Sequence, residues 1–160
     1  MDSHNVQVRK MQWADLPSVY RIEQASYSHS WSEKMLRDSL RSNDYCFVAE
    51  WLGAVCGYLI SMSAVDELHL LNICVRPDVQ QSGCGKQLLE ALCSKAQASG
   101  MSLILLEVRV SNTAAQRLYQ NFGFEYIGTR KNYYPATTGR EDALVMKLTL
   151  SPEVNVTQCR

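Results

Sequence analysis

LLNICV (residues 70–75), RPDVQQSGCGKQLLEAL (76–92), LILLEV (103–108) and SNTAAQRLYQNFGF (111–124) occupy the middle of this 160-residue chain, and their order decides the fold. The first run is short and apolar and stops at a proline, which predicts a strand buried on both faces. The second carries Gly83 and Gly85 and then Leu88, Leu89, Leu92 and Ala96 at helical spacing. That pattern predicts a glycine turn opening a helix that ends at Gly100. The third run is a second buried strand with Glu107 at its end. The fourth predicts a short helix capped by Asn112 or Ser111, carrying Tyr119 and stopped by Gly123.

Reading outward, Val6 and Val8 alternate with polar residues, so residues 5–10 form a first strand. Asp15 offers an N-cap and Pro17 a first turn for a helix through about Ala25, with Leu16, Val19 and Tyr20 on one side. Ser32 caps a second helix whose inner face is Met35, Leu36 and Leu40. Residues 45–51 and 55–62 pair as a hairpin around Gly53. Residues 124–134 and 143–150 read as closing strands, and 151–160 as a loose tail. The fold class is therefore one α/β (α+β) domain over residues 1–150, on a mixed sheet with helices after the central strands.

A chain of this length favours one domain, able to bury roughly 70 % of its unfolded surface. Lys+Arg and Asp+Glu both number 16, so no net charge advertises nucleic acid or a membrane surface. A local basic cluster of Arg130, Lys131 and Arg140 reads as a solvated face. The six cysteines, at 46, 56, 74, 84, 93 and 159, include no CxxC pair and mostly sit in apolar runs. They read as small buried hydrophobes rather than a disulfide framework. The three histidines show no metal-ligand spacing with them, so no metal is expected. The first ten residues lack the apolar core of a signal peptide, and no apolar run approaches the ~20 residues that cross a bilayer. A reducing cytoplasm fits this composition.

The turn Gln80-Gln81-Ser82-Gly83-Cys84-Gly85 lets the backbone approach a ligand closely. The free N–H groups and the dipole of the following helix suit a pyrophosphate, and Lys86 adds a positive charge. Two nucleotide motifs are excluded. A dinucleotide fingerprint needs glycine where Leu88 stands, and a phosphate-binding NTPase loop needs glycine at Gln80 and Ser or Thr at Gln87. Glu107 and Tyr119 are candidates for proton transfer. Equally bland alternatives are a strand-end carboxylate paired with Arg109 and a packed helix tyrosine.

Gln80-x-x-Gly83-x-Gly85, with Val75-Arg76-Pro77 before it and Leu118-Tyr119…Phe122-Gly123-Phe124 after it, resembles the GNAT N-acetyltransferases over roughly residues 5–150. Further segments are similar to the branch that acetylates ribosomal-protein alanines: Trp31-Ser32-Glu33-Lys34, Leu106-Glu107-Val108-Arg109, Asn132-Tyr133-Tyr134-Pro135 and Gly139-Arg140-Glu141-Asp142-Ala143. The resemblance implies a mostly antiparallel sheet splayed between its central strands, with acetyl-CoA as co-substrate entering between 68–75 and 103–109. Ile73, Cys74 and Val75 would hold the acetyl and pantetheine portion. Gln81, Ser82, Gly83, Cys84, Gly85 and Lys86 would hold the pyrophosphate, and Asn112 would lie near the thiol. Cys84 stands where most such turns carry an aliphatic residue. Glu107 would be the general base, Tyr119 the general acid, and Tyr133 would shape the acceptor groove with Trp31.

The implied acceptor is the N-terminal alanine of small-subunit ribosomal protein number eighteen, acetylated by direct transfer, with no nucleic acid or membrane partner. An α-amine, pKa about 7.7–8.0, is partly neutral at cellular pH, whereas a lysine amine sits near 10.4. Partial desolvation would raise Glu107 toward a better base. A phenol near 10 stays protonated and can donate to a departing thiolate. The alternatives are a small-amine acetyltransferase and a non-catalytic acetyl-CoA-binding subunit. Oligomeric state is left open.

Overall fold

The computed structural model describes residues 5–27, 29–41, 45–80 and 82–151. Gln81 and all but the first residue of the expected 151–160 tail lie outside the described residues. Seven strands take the hydrogen-bonded order β1-β2-β3-β4-β5-β7-β6. The chain forms two compact units, one from residues 1–62 and 70–92, the other from 63–69 and 93–160.

The first unit holds β1 (Val6–Lys10), α1 (Leu16–Ser26), α2 (Glu33–Arg41), β2 (Cys46–Trp51), most of β3 (Ala54–Ala64), most of β4 (Glu67–Val75) and the first turns of α3 (Cys84–Ala98). β2 pairs antiparallel with both β1 and β3. The β2–β3 hairpin turns through Leu52 and Gly53, at φ 53° and 78°. Two consecutive positive φ values match the right-handed twist of paired strands, and Gly53 adopts one at no steric cost. Met11, Leu16, Val19, Ile22, Leu36, Leu40, Val48, Tyr58 and Ile60 form the core beneath.

Ser32 caps α2 as expected, its hydroxyl accepting the Met35 N–H at 3.2 Å. Met35 itself is 48 % exposed, so the inner face is Leu36 and Leu40 alone. The nine-residue helix turns 100° per residue, and two apolar positions four apart already fill its stripe.

Asp15 does not cap α1 with its side chain. A 3-10 turn over Trp13–Asp15 leads into the helix. The carboxylate instead takes both Arg9 Nη atoms at 2.8 Å and the Gln12 N–H at 2.7 Å. Arg9 also donates to Glu50. A fork-shaped guanidinium outcompetes a single backbone N–H for a buried carboxylate. The Arg9 hydrogen bond holds Asp15 below the usual carboxylate range, and the Gln12 N–H reinforces it. A lowered folded value adds stability that is complete above the ordinary aspartate value and is lost as pH falls through the lowered one. Asp15→Asn should therefore cost about 1–3 kcal/mol at pH 7 in denaturant titrations. The gap from the parent should close below about pH 4. A pH-independent gap would contradict the ion-pair account.

The second unit holds the start of β4, the end of α3, β5 (Leu103–Arg109), α4 (Thr113–Phe122), β6 (Glu125–Pro135) and β7 (Arg140–Thr149). β7 pairs antiparallel with β5 and β6. Leu88, Leu89, Leu92 and Ala96 of α3 are all fully buried, as their spacing predicts. Neither β4 nor β5 is buried on both faces. Ile104, Leu106 and Val108 are buried, while Leu103, Leu105 and Glu107 between them are half-covered. Successive residues of a strand point to opposite faces, so one face of each strand stays open enough to carry chemistry.

The six-cysteine reading holds where it can be checked. Cys46, Cys56, Cys74 and Cys84 are buried free thiols, Cys93 is half-buried, and Cys159 lies outside the described residues. Burial pushes the Cys46 thiol up to about 11. Among the described residues no helix is long and apolar enough to cross a membrane, and no His, Cys, Asp and Glu group is placed to hold a metal.

Candidate active site

In the first unit, β4 ends at Val75 and the chain passes through a 3-10 turn, Pro77–Val79, into the glycine turn. Gly83 sits at φ 87°, a conformation that costs a side chain strain. The first intrahelical bond of α3 runs from Gln87 N–H to Gly83 O at 3.0 Å. The N–H groups of Cys84, Gly85 and Lys86 thus have no partner within the helix and are available to an anion. Among the described residues, Lys86 meets Glu90 at 4.0 Å across an exposed helix face. Ser82 donates its hydroxyl to Val79 O, which ties the turn to the preceding segment.

Cys84 turns its side chain inward. It is 1 % exposed, with Sγ 3.9 Å from the Sγ of Cys56. The hydrogen bond with Cys56 and burial both push its thiol upward, so it stays protonated and only its backbone faces a ligand. On β4, Ile73 O accepts the Tyr27 hydroxyl at 2.9 Å and Val75 O accepts the Gln80 amide at 3.2 Å. Cys74 is buried. Those two carbonyls are therefore already partnered.

In the second unit, Glu107 lies two residues inside the end of β5. Its side chain is 10 % exposed, yet it is not isolated. Oε2 lies 2.5 Å from His69 Nε2, and Oε1 lies 3.3 Å from Arg130 Nε. The Tyr134 hydroxyl donates to the Glu107 carbonyl at 3.1 Å. Arg109, weighed in the sequence as its partner, pairs with Glu141 at 2.9 Å instead. Arg109 and Glu107 are separated by one residue on β5, but Arg109 lies across from Ala143 of β7, two positions from Glu141.

Tyr119 is 6 % exposed on α4, tilted against the Phe124 ring at 5.6 Å. Burial raises its phenol, with Tyr134 adding to the effect, so the hydroxyl keeps its proton across the physiological range. Asn112 caps α4, Oδ1 accepting the Ala115 N–H at 3.1 Å, which leaves its amide NH₂ as the group available to a ligand. Of the two capping candidates, the side chain that caps is Asn112.

Tyr133 is 43 % exposed and stands edge-on to Tyr134 at 4.8 Å. Tyr134 is the more deeply tied of the two, with the Arg109 guanidinium 4.4 Å over its ring and its phenol pushed up to about 12 by burial. The basic cluster is committed locally. Arg130 meets Glu107, Lys131 meets Asp142, and Arg140 donates to the carbonyls of Asn132 and Tyr133.

Sequence reasoning missed His69. Its only signal is parity: residues 69, 71, 73 and 75 share one face of β4, so a titratable ring stands in line with Ile73 and Val75.

The acetyltransferase (GNAT) family profile matches residues 16–124, which include both the glycine turn and Tyr119. The chain belongs to this family. The [ribosomal protein bS18]-alanine N-acetyltransferase of Escherichia coli K12 is 39 % identical over 144 residues, covering 90 % of this chain and 97 % of that protein. The enzyme of the same name from Haemophilus ducreyi is 39 % identical over 137 residues, 85 % of this chain and 94 % of that protein. The crystal structure of the Escherichia coli ribosomal-protein-S18-alanine N-acetyltransferase superimposes with a TM-score of 0.85 at 37 % identity, covering 94 % of this chain and 97 % of that one. This is therefore an N-acetyltransferase with the GNAT fold.

Proposed function

We propose that this chain transfers the acetyl group of acetyl-CoA to the α-amine of the N-terminal alanine of ribosomal protein bS18. The likeness to enzymes of that name over about nine-tenths of the chain supports the acceptor. The observation that carries the chemistry is a hydrogen-bonded carboxylate and a buried phenol in the second unit. Glu107 presents a carboxylate held by two donors, and Tyr119 presents a phenol that burial keeps protonated.

The residues fit an acetyl-CoA ligand: three helix N–H groups without a partner inside the helix and Lys86 offer sites for its phosphates. The bound thioester supplies an activated acetyl carbon. The chain's own residues manage the protons. Glu107 stands on the base side, favouring loss of a proton from the acceptor ammonium. Tyr119 stands on the acid side, giving its proton to the sulfur as the C–S bond breaks. Asn112 contributes its amide NH₂ near the thiol, and Tyr133 lines the acceptor groove. Because an α-amine is far less basic than a lysine side chain, this modest machinery suffices for an N-terminus. An acceptor that is a ribosomal protein supports a cytoplasmic location for the reaction.

Incubation with acetyl-CoA and a peptide carrying the bS18 N-terminus should place one acetyl group on the alanine nitrogen, located by fragmentation mass spectrometry. Acetyl found only on lysine, or only on a small amine, would remove the acceptor from this reading.

A further inference from the structure

His69 is the accessible half of its pair. Its side chain is 37 % exposed, against 10 % for Glu107. Both carboxylate oxygens are engaged, Oε2 by His69 and Oε1 by Arg130. Glu107 is therefore not the lone, desolvated carboxylate expected from the sequence. The imidazole differs. With Nε2 directed at the carboxylate, the hydrogen bond favours the tautomer that carries its proton there and leaves the Nδ1 lone pair open. A buried carboxylate that fixes the tautomer of an exposed imidazole also stabilises the imidazolium formed when that ring takes up a proton.

We propose that the base of this acetyltransferase is the His69–Glu107 pair, with His69 Nδ1 as the atom on which the acceptor's proton comes to rest. This deepens the proposed reaction and rests on it. The balance is simple. The ammonium N–H bond breaks and an Nδ1–H bond forms, directly or through one water, leaving a neutral amine and an imidazolium paired with the Glu107 carboxylate. As the amide forms, the nitrogen loses its second proton, which replaces the one Tyr119 gives to the departing sulfur. CoA thus leaves as the thiol and Tyr119 is restored. The Nδ1 proton then leaves to solvent, and the pair returns to its starting state. No electron is exchanged. Arg130 of β6 pairs with Glu107 and the Tyr134 hydroxyl of β6 donates to its carbonyl, while Arg109 of β5 pairs with Glu141 of β7. Arg109 and Glu141 neutralise one another, so Arg130 is the cation that most directly opposes a second positive charge on His69.

His69→Gln keeps an amide donor toward Glu107 but cannot take up a proton, and His69→Ala opens space for a small base. Turnover of the N-terminal peptide should fall about 10- to 100-fold in both. KM for acetyl-CoA should be unchanged. In His69→Gln the acid limb of the kcat/KM profile should move to lower pH, because a carboxylate alone stays deprotonated further into acid than an imidazole. Added imidazole should restore part of the His69→Ala rate in proportion to its concentration. Equal rates and an unmoved acid limb in His69→Gln would overturn the proposal.

Ring nitrogen NMR of the parent protein is the readout independent of acceptor. It should show His69 as the Nε2–H tautomer, with that preference lost in Glu107→Ala. A parent enzyme that acetylates a different amine would sink the bS18 acceptor but not the pair, since the same profiles can be run on that amine. A parent that acetylates no amine would sink both.

Discussion

Replacing Glu107 by Gln, or Tyr119 by Phe, should each lower kcat by roughly 10- to 10⁴-fold, the usual scale for losing a positioned acid or base. Affinity for acetyl-CoA, measured by calorimetry, should change little, because neither side chain belongs to the glycine turn or to the backbone of residues 73–75. The two losses should differ in form. Gln at 107 removes the negative charge beside His69 and Arg130, so it acts on deprotonation of the amine, and raising the pH should recover part of the rate. Phe at 119 removes the buried hydroxyl while keeping the ring against Phe124, so the fold is spared and the loss lies in thiolate departure. Higher pH should not recover that loss. Unchanged turnover in both variants would favour a cofactor-binding subunit without catalysis.

Glu23→Ala should cost about 3–5 kcal/mol of folding stability. The carboxylate is 1 % exposed and accepts three donors. The Tyr58 hydroxyl reaches Oε2 at 2.9 Å, while the Asn72 amide and the Trp31 N–H reach Oε1 at 2.8 and 3.3 Å. Burial pushes the Tyr58 phenol far upward, so it keeps its proton and donates it to Glu23. Alanine leaves these donors buried without an acceptor and opens a cavity, the two terms that make large losses. Glu23→Gln keeps one acceptor oxygen and should lose less. Domains of this size hold only about 5–15 kcal/mol in all, so the alanine variant should unfold at a much lower denaturant midpoint. A loss below about 1 kcal/mol would mean that the network is incidental. Because Asn72 immediately precedes Ile73 on β4, the alanine variant should also raise KM for acetyl-CoA.

The readings that held are those written in short-range spacing. The leucines of α3, the Ser32 and Asn112 caps, and the positive-φ stops at Gly100 and Gly123 each depend on residues within one or two helical turns. The hairpin around Gly53 is of the same kind. Asp15, Met35 and the two-faced burial of β4 and β5 were misread. Asp15 pairs with Arg9 rather than a helix end, Met35 lies exposed, and alternation left one face of each strand only partly covered.

The order of elements, the glycine turn with its free N–H groups, and the candidate carboxylate and phenol were therefore decided by the linear chain, because periodicity, caps and glycine stereochemistry act over a few residues. The partners of the chemical groups were decided only in three dimensions. Glu107 meets His69, 38 positions away, rather than Arg109, two positions away. Glu23 gathers donors from Trp31, Tyr58 and Asn72. Strand pairing brings distant residues to hydrogen-bonding range, and no local pattern records which distant residue that will be.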